Sequence, residues 1–225
     1  MMKLYGATAS PYVTRVIMFA RLKGVELQRP AVPGGNPRSD EFHAINPIGK
    51  VPSLDLDGYI IPESEVICEY LEEAYPDVAG LPADNRDRAT SRLVARITDL
   101  YISPNFGPLL PHLNPASRDQ SEVDRIAAEL DKAFRSLAHY MGPGPFCVES
   151  EPTLGDCALG PYIKLLKNVV FTAFDIPDPT DGDGRLATWW QAVKAHDMCR
   201  ASLDEYGAVV DAFMRANKAT ITEHR

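Results

Sequence analysis

Three short segments in the first third of the chain carry side chains suited to holding an anion or a zwitterion. In Ser10-Pro11-Tyr12-Val13-Thr14-Arg15-Val16, a serine precedes a proline at a helix start. The hydroxyl caps the helix, and the proline has no amide hydrogen to leave unpaired. Such a cap contributes about 1 kcal/mol. The same helix end, with exposed amide hydrogens and partial positive charge, can also hold an anion beside the hydroxyl. In Asn46-Pro47-Ile48-Gly49-Lys50-Val51-Pro52-Ser53-Leu54, Pro52 enters a strand. It is either a trans edge-strand proline or a cis proline in a tight turn, and the cis form would present the Val51 backbone to a ligand. In Pro62-Glu63-Ser64-Glu65-Val66-Ile67, Ser64 reads as a second N-cap with a carboxylate just before it. Amides and hydroxyl could take a zwitterion's carboxylate while Glu63 takes its ammonium.

These segments need elements to hold them, and the apolar pattern supplies a small α/β unit. Lys3–Gly6 reads as a strand and Ala7–Ser10 as a loop. From Pro11 onward, Val13, Val16, Ile17 and Ala20 recur at helical spacing until Gly24. Val25–Val32 reads as a second strand and Ser39–Ile45 as a short helix. Pro52–Leu56 and Tyr59–Ile61 flank Asp57-Gly58, the strongest short-range hairpin signal. Ser64–Tyr75 is helical, with Val66, Ile67, Tyr70, Leu71 and Ala74 on one face. Cys68 sits in that helix beside Ile67 and Leu71, which makes it a core residue rather than a nucleophile.

Beyond Pro76 the character changes. Asp77–Asn85 reads as a linker and is followed only by helix patterns. Arg86–Tyr101, Leu154–Phe174, Gly184–Arg200 and Leu203–Ala216 are helical candidates. Val123, Ile126, Ala127, Leu130, Phe134, Leu137, Ala138 and Met141 advance by three or four and form one buried stripe. Four prolines in Tyr101–Pro115 break any helix there. The expected organisation is an α/β domain over residues 1–78 and an all-α domain over residues 86–225.

Composition narrows the function classes. The 225 residues are 45% hydrophobic and 24% charged, ordinary for a globular chain, with a net charge of −8. No basic half or tail exists, so nucleic acid is not an expected partner. No apolar run approaches the roughly 18 residues of a membrane span, and the first residues lack a secretory pattern. Four cysteines without CxxC spacing fit reduced thiols in the cytoplasm. His43, His112, His139, His196 and His224 lack metal-ligand spacing, so no metal is expected. Gly182-Asp183-Gly184-Arg185-Leu186-Ala187 has dinucleotide-motif spacing but sits in a polar loop after Pro177 and Pro179, and is rejected.

In order and spacing, the three segments resemble the thioredoxin-like domain of cytosolic glutathione S-transferases. Ser10-Pro11-Tyr12-Val13-Thr14-Arg15 is similar to the active-site loop of the omega, tau and zeta classes, Val51-Pro52 to the cis-proline turn, and Glu63-Ser64 to the γ-glutamyl-binding pair. Thr153-Leu154-Gly155-Asp156 resembles the capping box of the helical domain, and Arg185–Ala201 its closing helix pattern. The resemblance implies glutathione as co-substrate, with Ser10 hydrogen-bonding its sulfur and the Val51 backbone pairing with its cysteinyl part. It implies that Glu63 and Ser64 hold the γ-glutamyl group, that Lys50 contacts the glycyl carboxylate, and that the chain is a homodimer. Thr153 and Asp156 would be structural. Omega-class members carry cysteine at the first motif position; Ser10 cannot form their mixed disulfide. Tyr12, Tyr101 and Phe106 are candidates for the wall of an electrophile site between the domains. The expected activity is addition of the thiolate to a small hydrophobic or aromatic electrophile. The alternatives are glutathione-dependent isomerisation or ether or thioether cleavage, and non-catalytic binding of ligand or protein.

Overall fold

The computed structural model describes residues 2–6 and 9–223, with side chains in the last helix described to residue 216. Two residues of the expected Ala7–Ser10 loop, and His224, lie outside the described residues. Three antiparallel strands, β1 (Met2–Tyr5), β2 (Ser53–Leu56) and β3 (Tyr59–Pro62), form a sheet in the order β1-β2-β3. Leu4 faces Leu54, which faces Ile61, and all three are buried. Asp57 and Gly58 both have positive φ, 53° and 102°, as a two-residue hairpin loop of matching twist requires. The Gly58 amide donates to Asp55 Oδ1 at 2.6 Å. That bond is the main reason the Asp55 carboxyl lies below the ordinary range, since burial opposes the shift.

The strand expected over Val25–Val32 is reduced to one parallel bridge, Lys3 with Gln28. Leu4 N–H donates to Gln28 O at 2.7 Å and Gln28 N–H to Met2 O at 3.1 Å. Two residues on, the next donor in a parallel ladder would be Pro30, which has no N–H.

Helix α1 (Pro11–Leu22) has Val13, Val16, Met18 and Phe19 almost fully buried, and Gly24 at φ 67° turns the chain after it. A short helix α2 (Asp40–Ile45), capped by Ser39, precedes the turn into β2. Helix α3 (Ser64–Ala74) packs on α1. The expected linker is pinned at its centre. Glu72 Oε2 accepts from Lys23 Nζ at 2.6 Å and from Gly80 N–H at 2.9 Å, while Gly80 O accepts from Leu154 N–H at 3.1 Å.

Helix α4 (Asn85–Ile97) continues as a widened turn, Thr98–Ile102. The proline-rich stretch after it breaks into short turns around α5 (Phe106–Leu109), as its prolines dictate. Helix α6 (Gln120–Tyr140) buries Val123, Ile126, Leu130, Phe134 and Leu137 along the expected stripe. Helix α7 (Leu154–Leu166) is buried over nearly its whole length and leads through a widened turn into α8 (Thr172–Phe174). Helix α9 (Arg185–Ala195) and helix α10 (Asp197–Glu223) divide at His196, not between Arg200 and Leu203 as the pattern suggested. His196 is extended, its Nδ1 accepts from the Cys199 amide, and Asp197 places a carboxylate at the new helix start.

Helix α1 also packs on α7 and α10, so one apolar core runs from the sheet through α1 into the helices. Cys68, Cys147, Cys157 and Cys199 are free and buried in it. Burial pushes the thiols of Cys68, Cys147 and Cys157 far up and that of Cys199 to about 12, so none is a ready thiolate. No helix among the described residues is long and apolar enough to cross a membrane.

Candidate functional site

Ser10 is the N-cap of α1: its backbone is extended, and its Oγ accepts from Val13 N–H at 3.4 Å. Capping uses an oxygen lone pair, so the hydroxyl hydrogen stays available to a ligand. Across from this helix start lies a cavity of about 300 Å³. Tyr12, Lys50, Val51, Glu63 and Ser64 line it, so four of the segments' expected ligand contacts and one wall residue share a single site. Ser10 is half-buried at the head of the helix that carries Tyr12, and is not itself part of that lining.

The turn before β2 is shaped from within. Buried Asn46 donates through Nδ2 to Lys50 O and to Ser53 Oγ, both at 2.9 Å, and accepts from Ile48 N–H at 3.1 Å. The Val51–Pro52 bond is cis. The ladder begins only at Ser53, which leaves the Val51 backbone outside it.

Ser64 is not the cap of α3. It is the first helical residue, and Glu63 occupies the cap position at φ 70° without a capping bond. A non-glycine residue there stores strain of about 1–3 kcal/mol, sustained only by its surroundings. Arg15 supplies one reason for the shift. It is 1% exposed and donates from Nη1 to Ser64 Oγ at 3.2 Å and to Asp99 Oδ2 at 2.9 Å, with Nη2 on Asp99 Oδ1. The Ser64 hydroxyl oxygen is thus engaged from below by a cation, and its own hydrogen is left for a ligand. Burial works against the Arg15 charge, but the Asp99 hydrogen bonds and charge outweigh it, and the guanidinium is held above its ordinary value.

Sequence reasoning missed the residues on α4 and its continuation. Arg96 and Asp99 also line the cavity, as does Glu65, with Arg96 Nη1 3.4 Å from Glu65 Oε2. Burial, then the nearby Asp99 charge, push the Glu65 carboxyl upward. Cations and anions thus alternate around the walls, which suits a zwitterionic ligand better than a simple anion.

Two expected wall residues are elsewhere. Tyr101 is 58% exposed and lines a separate cleft of about 770 Å³ between α4 and α6, with Leu93, Ile97, Leu100 and Tyr140. Positions 93, 97, 100 and 101 share one helical face, and residue 99 points to nearly the opposite one. The turn that gives Asp99 to the cavity therefore takes Tyr101 away. Phe106 is half-buried against the core and borders neither opening.

With this geometry in place, comparison with known proteins is decisive. A glutathione S-transferase N-terminal domain model matches residues 4–79, and a glutathione S-transferase C-terminal domain model matches residues 120–192. The chain belongs to the glutathione S-transferase family. It is 33% identical over 170 residues to a glutathione S-transferase of Triticum aestivum, covering 73% of this chain and 78% of that one. It is 32% identical over 169 residues to a maleylacetoacetate isomerase of Pseudomonas aeruginosa, covering 72% and 80%. Among solved structures, a bacterial zeta-class maleyl pyruvate isomerase aligns with a TM-score of 0.68 at 29% identity, over 89% of this chain and 95% of that one. The omega 3C transferase of Trametes versicolor aligns with a TM-score of 0.74 at 26% identity, over 89% and 88%. The fold is thus the expected one, a thioredoxin-like α/β part followed by an all-α part.

Proposed function

We propose that this chain binds glutathione in the cavity beside α1, holds its sulfur as a thiolate at Ser10, and adds it to a small hydrophobic or aromatic electrophile. The observation that carries this reading is the convergence of Lys50, Val51, Glu63 and Ser64, from two separate segments, on the cavity that Tyr12 borders, two residues from the Ser10 cap. Val51 offers backbone to the cysteinyl part, and Glu63 and Ser64 meet the γ-glutamyl zwitterion, with Asp99 as a further partner for its ammonium. Lys50 lies on the side of the glycyl carboxylate.

A second reading has its own support: relatives named maleylacetoacetate isomerase and maleylpyruvate isomerase are 32–34% identical to this chain. In that case the thiolate adds, the adduct rotates, and the thiolate leaves. Both readings begin with the same carbon–sulfur bond and differ in whether it survives. Units over residues 1–78 and 86–225, a homodimer and a cytoplasmic setting complete the proposal.

The test is titration with glutathione while following thiolate absorbance from neutral pH downward. We expect saturable binding and a bound thiol ionised near neutrality. Binding without any thiolate signal favours a non-catalytic ligand-binding role, and no binding at all removes both catalytic readings.

A further inference from the structure

The peptide between Lys50 and Val51 is held by its carbonyl end. Asn46, at the end of α2, is 2% exposed and tied on several sides to the turn that follows it. Its Nδ2 donates to Lys50 O and to Ser53 Oγ, and its Oδ1 accepts from Ile48 N–H. Its own carbonyl accepts from Gly49 N–H at 2.9 Å. The Ser53 hydroxyl donates to the same Lys50 oxygen at 3.4 Å. These partners fix which way the Asn46 amide points. A carbonyl oxygen only accepts and an N–H only donates, so the NH₂ faces Lys50 and the amide oxygen faces Ile48.

Holding that carbonyl sets the direction of the N–H beside it. A trans peptide is planar, with its C=O and N–H pointing opposite ways. The bond after Val51 is the cis one among the described residues, so the Lys50–Val51 peptide is trans. With Lys50 O drawn inward to Asn46 and Ser53, the Val51 N–H is turned outward, on the side of the cavity that Lys50 and Val51 line. No strand uses it, since β2 begins at Ser53, and it has no hydrogen-bond partner among the described residues. A backbone donor of this kind matches one acceptor, such as a peptide carbonyl.

We propose that Asn46 is a positioning residue of this site: by holding Lys50 O, it aims the Val51 N–H at the cysteinyl carbonyl oxygen of glutathione. This rests on the glutathione-binding reading given above. The backbone dihedrals on either side of a peptide plane are soft, so a released Lys50 carbonyl lets the plane turn. A turned plane removes the donor and brings one carbonyl oxygen toward another. That change is felt by a single ligand atom. A general loosening of the fold would weaken every ligand contact alike.

The experiment measures Kd by calorimetry for S-methylglutathione and for its analogue with an (E)-alkene in place of the cysteinyl–glycyl amide. The analogue keeps both carboxylates and the ammonium and lacks the carbonyl oxygen. Wild type is compared with Asn46→Asp, which keeps the shape but whose carboxylate cannot donate to Lys50 O. We expect the wild type to prefer S-methylglutathione by about tenfold, as one hydrogen bond allows. Asn46→Asp should bring the two Kd values together by weakening S-methylglutathione alone. Asn46→Ser, shorter in reach, should do the same and serves if Asn46→Asp does not fold. In the wild type, the Val51 amide proton resonance should move downfield with S-methylglutathione and not with the analogue. A wild type indifferent to the two ligands, a Val51 proton that responds alike to both, or equal weakening of both in the variants overturns the proposal while glutathione binding stands. A wild type that binds neither overturns the glutathione-binding reading as well.

Discussion

At the scale of single residues, the role proposed for Ser10, holding the thiolate, is limited in what it contributes to rate. A thiol with a pKa of about 8.5 is only about 3% ionised at pH 7; lowering it by about two units ionises roughly three quarters and needs about 2.7 kcal/mol. One hydrogen bond to a charged sulfur, about 1.5–3 kcal/mol, with the α1 terminus adding roughly 0.3–1, is sufficient. The weaker base is also a poorer nucleophile, by about tenfold for a slope near 0.4–0.5, so activation nets only a few-fold. We therefore expect Ser10→Ala to abolish the thiolate signal and move the pH–rate profile up by about two units, while kcat/KM at neutral pH falls only a few-fold. A loss of about a thousandfold at unchanged thiol pKa would mean that Ser10 acts on the electrophile. Glu65 supplies a pH test of the same walls. Its folded pKa is raised, so its contribution favours the fold below the unfolded value, about 4.3, and is lost as pH rises through the folded one. Glu65→Gln removes that loss, and its bridge to half-exposed Arg96 contributes little. The urea midpoint of the variant should overtake the wild type as pH climbs from about 4 to 7; a constant gap would show that Glu65 titrates alike in the folded and unfolded chains.

At the scale of elements, the start of α7 concentrates more hydrogen bonds than a helix cap needs. Asp156 is 1% exposed and accepts from the Thr153 amide at 2.7 Å, the Thr153 hydroxyl at 2.9 Å, Cys147 N–H at 2.8 Å and Trp189 Nε1 at 2.8 Å. The capping box thus ties α7 to the preceding loop and to α9. An isolated cap is worth about 1 kcal/mol. Asp156→Ala leaves several buried donors unmatched, and we expect a loss of about 3–5 kcal/mol in urea unfolding, well above that of a solvent-facing cap such as Asp119→Ala. Asp156→Asn should also be costly, since its NH₂ would meet other donors; equal losses for Asp156→Ala and Asp119→Ala would reduce the box to an ordinary cap. This contrast also explains which elements were legible in the sequence. The hairpin at Asp57-Gly58 and the box at Thr153–Asp156 depend on neighbours within four residues, and both were readable. The Val25–Val32 strand failed on a single missing donor at Pro30, and the capping role of Ser64 failed because its partner, Arg15, is 49 residues away. Asp99 and Arg96 went unread because α4 has polar residues on more than one face, and only packing decides which face meets the cavity.

At the scale of the whole molecule, the face that carries Tyr101 has its own logic. Leu93, Leu100, Tyr101 and Tyr140 are each more than a third exposed around the larger cleft, and Tyr59 and Val66 add exposed apolar surface on the sheet-bearing part. Exposed apolar groups gathered in a groove mark an association surface. Burying an interface of standard size, about 800 Å² on each partner, is the expected use of such a surface in the proposed homodimer. Charge opposes it: each copy carries −8, so two copies repel, and that repulsion is screened over about 10 Å at 0.1 M salt. The apolar contribution does not weaken with salt, so the two effects separate in one experiment. Sedimentation of the wild type should give twice the chain mass at micromolar concentration, with dissociation falling as salt rises from about 0.05 to 0.5 M. Leu100→Asp should shift the population to the single chain while glutathione still binds, because the 93–97–100–101 face and the Asp99 face look in different directions. Weaker association at high salt would mean that Arg125, Glu129 and Lys132, which share the cleft, hold the pair together by ion pairing. A wild type that stays single at every concentration would leave this face to some other partner.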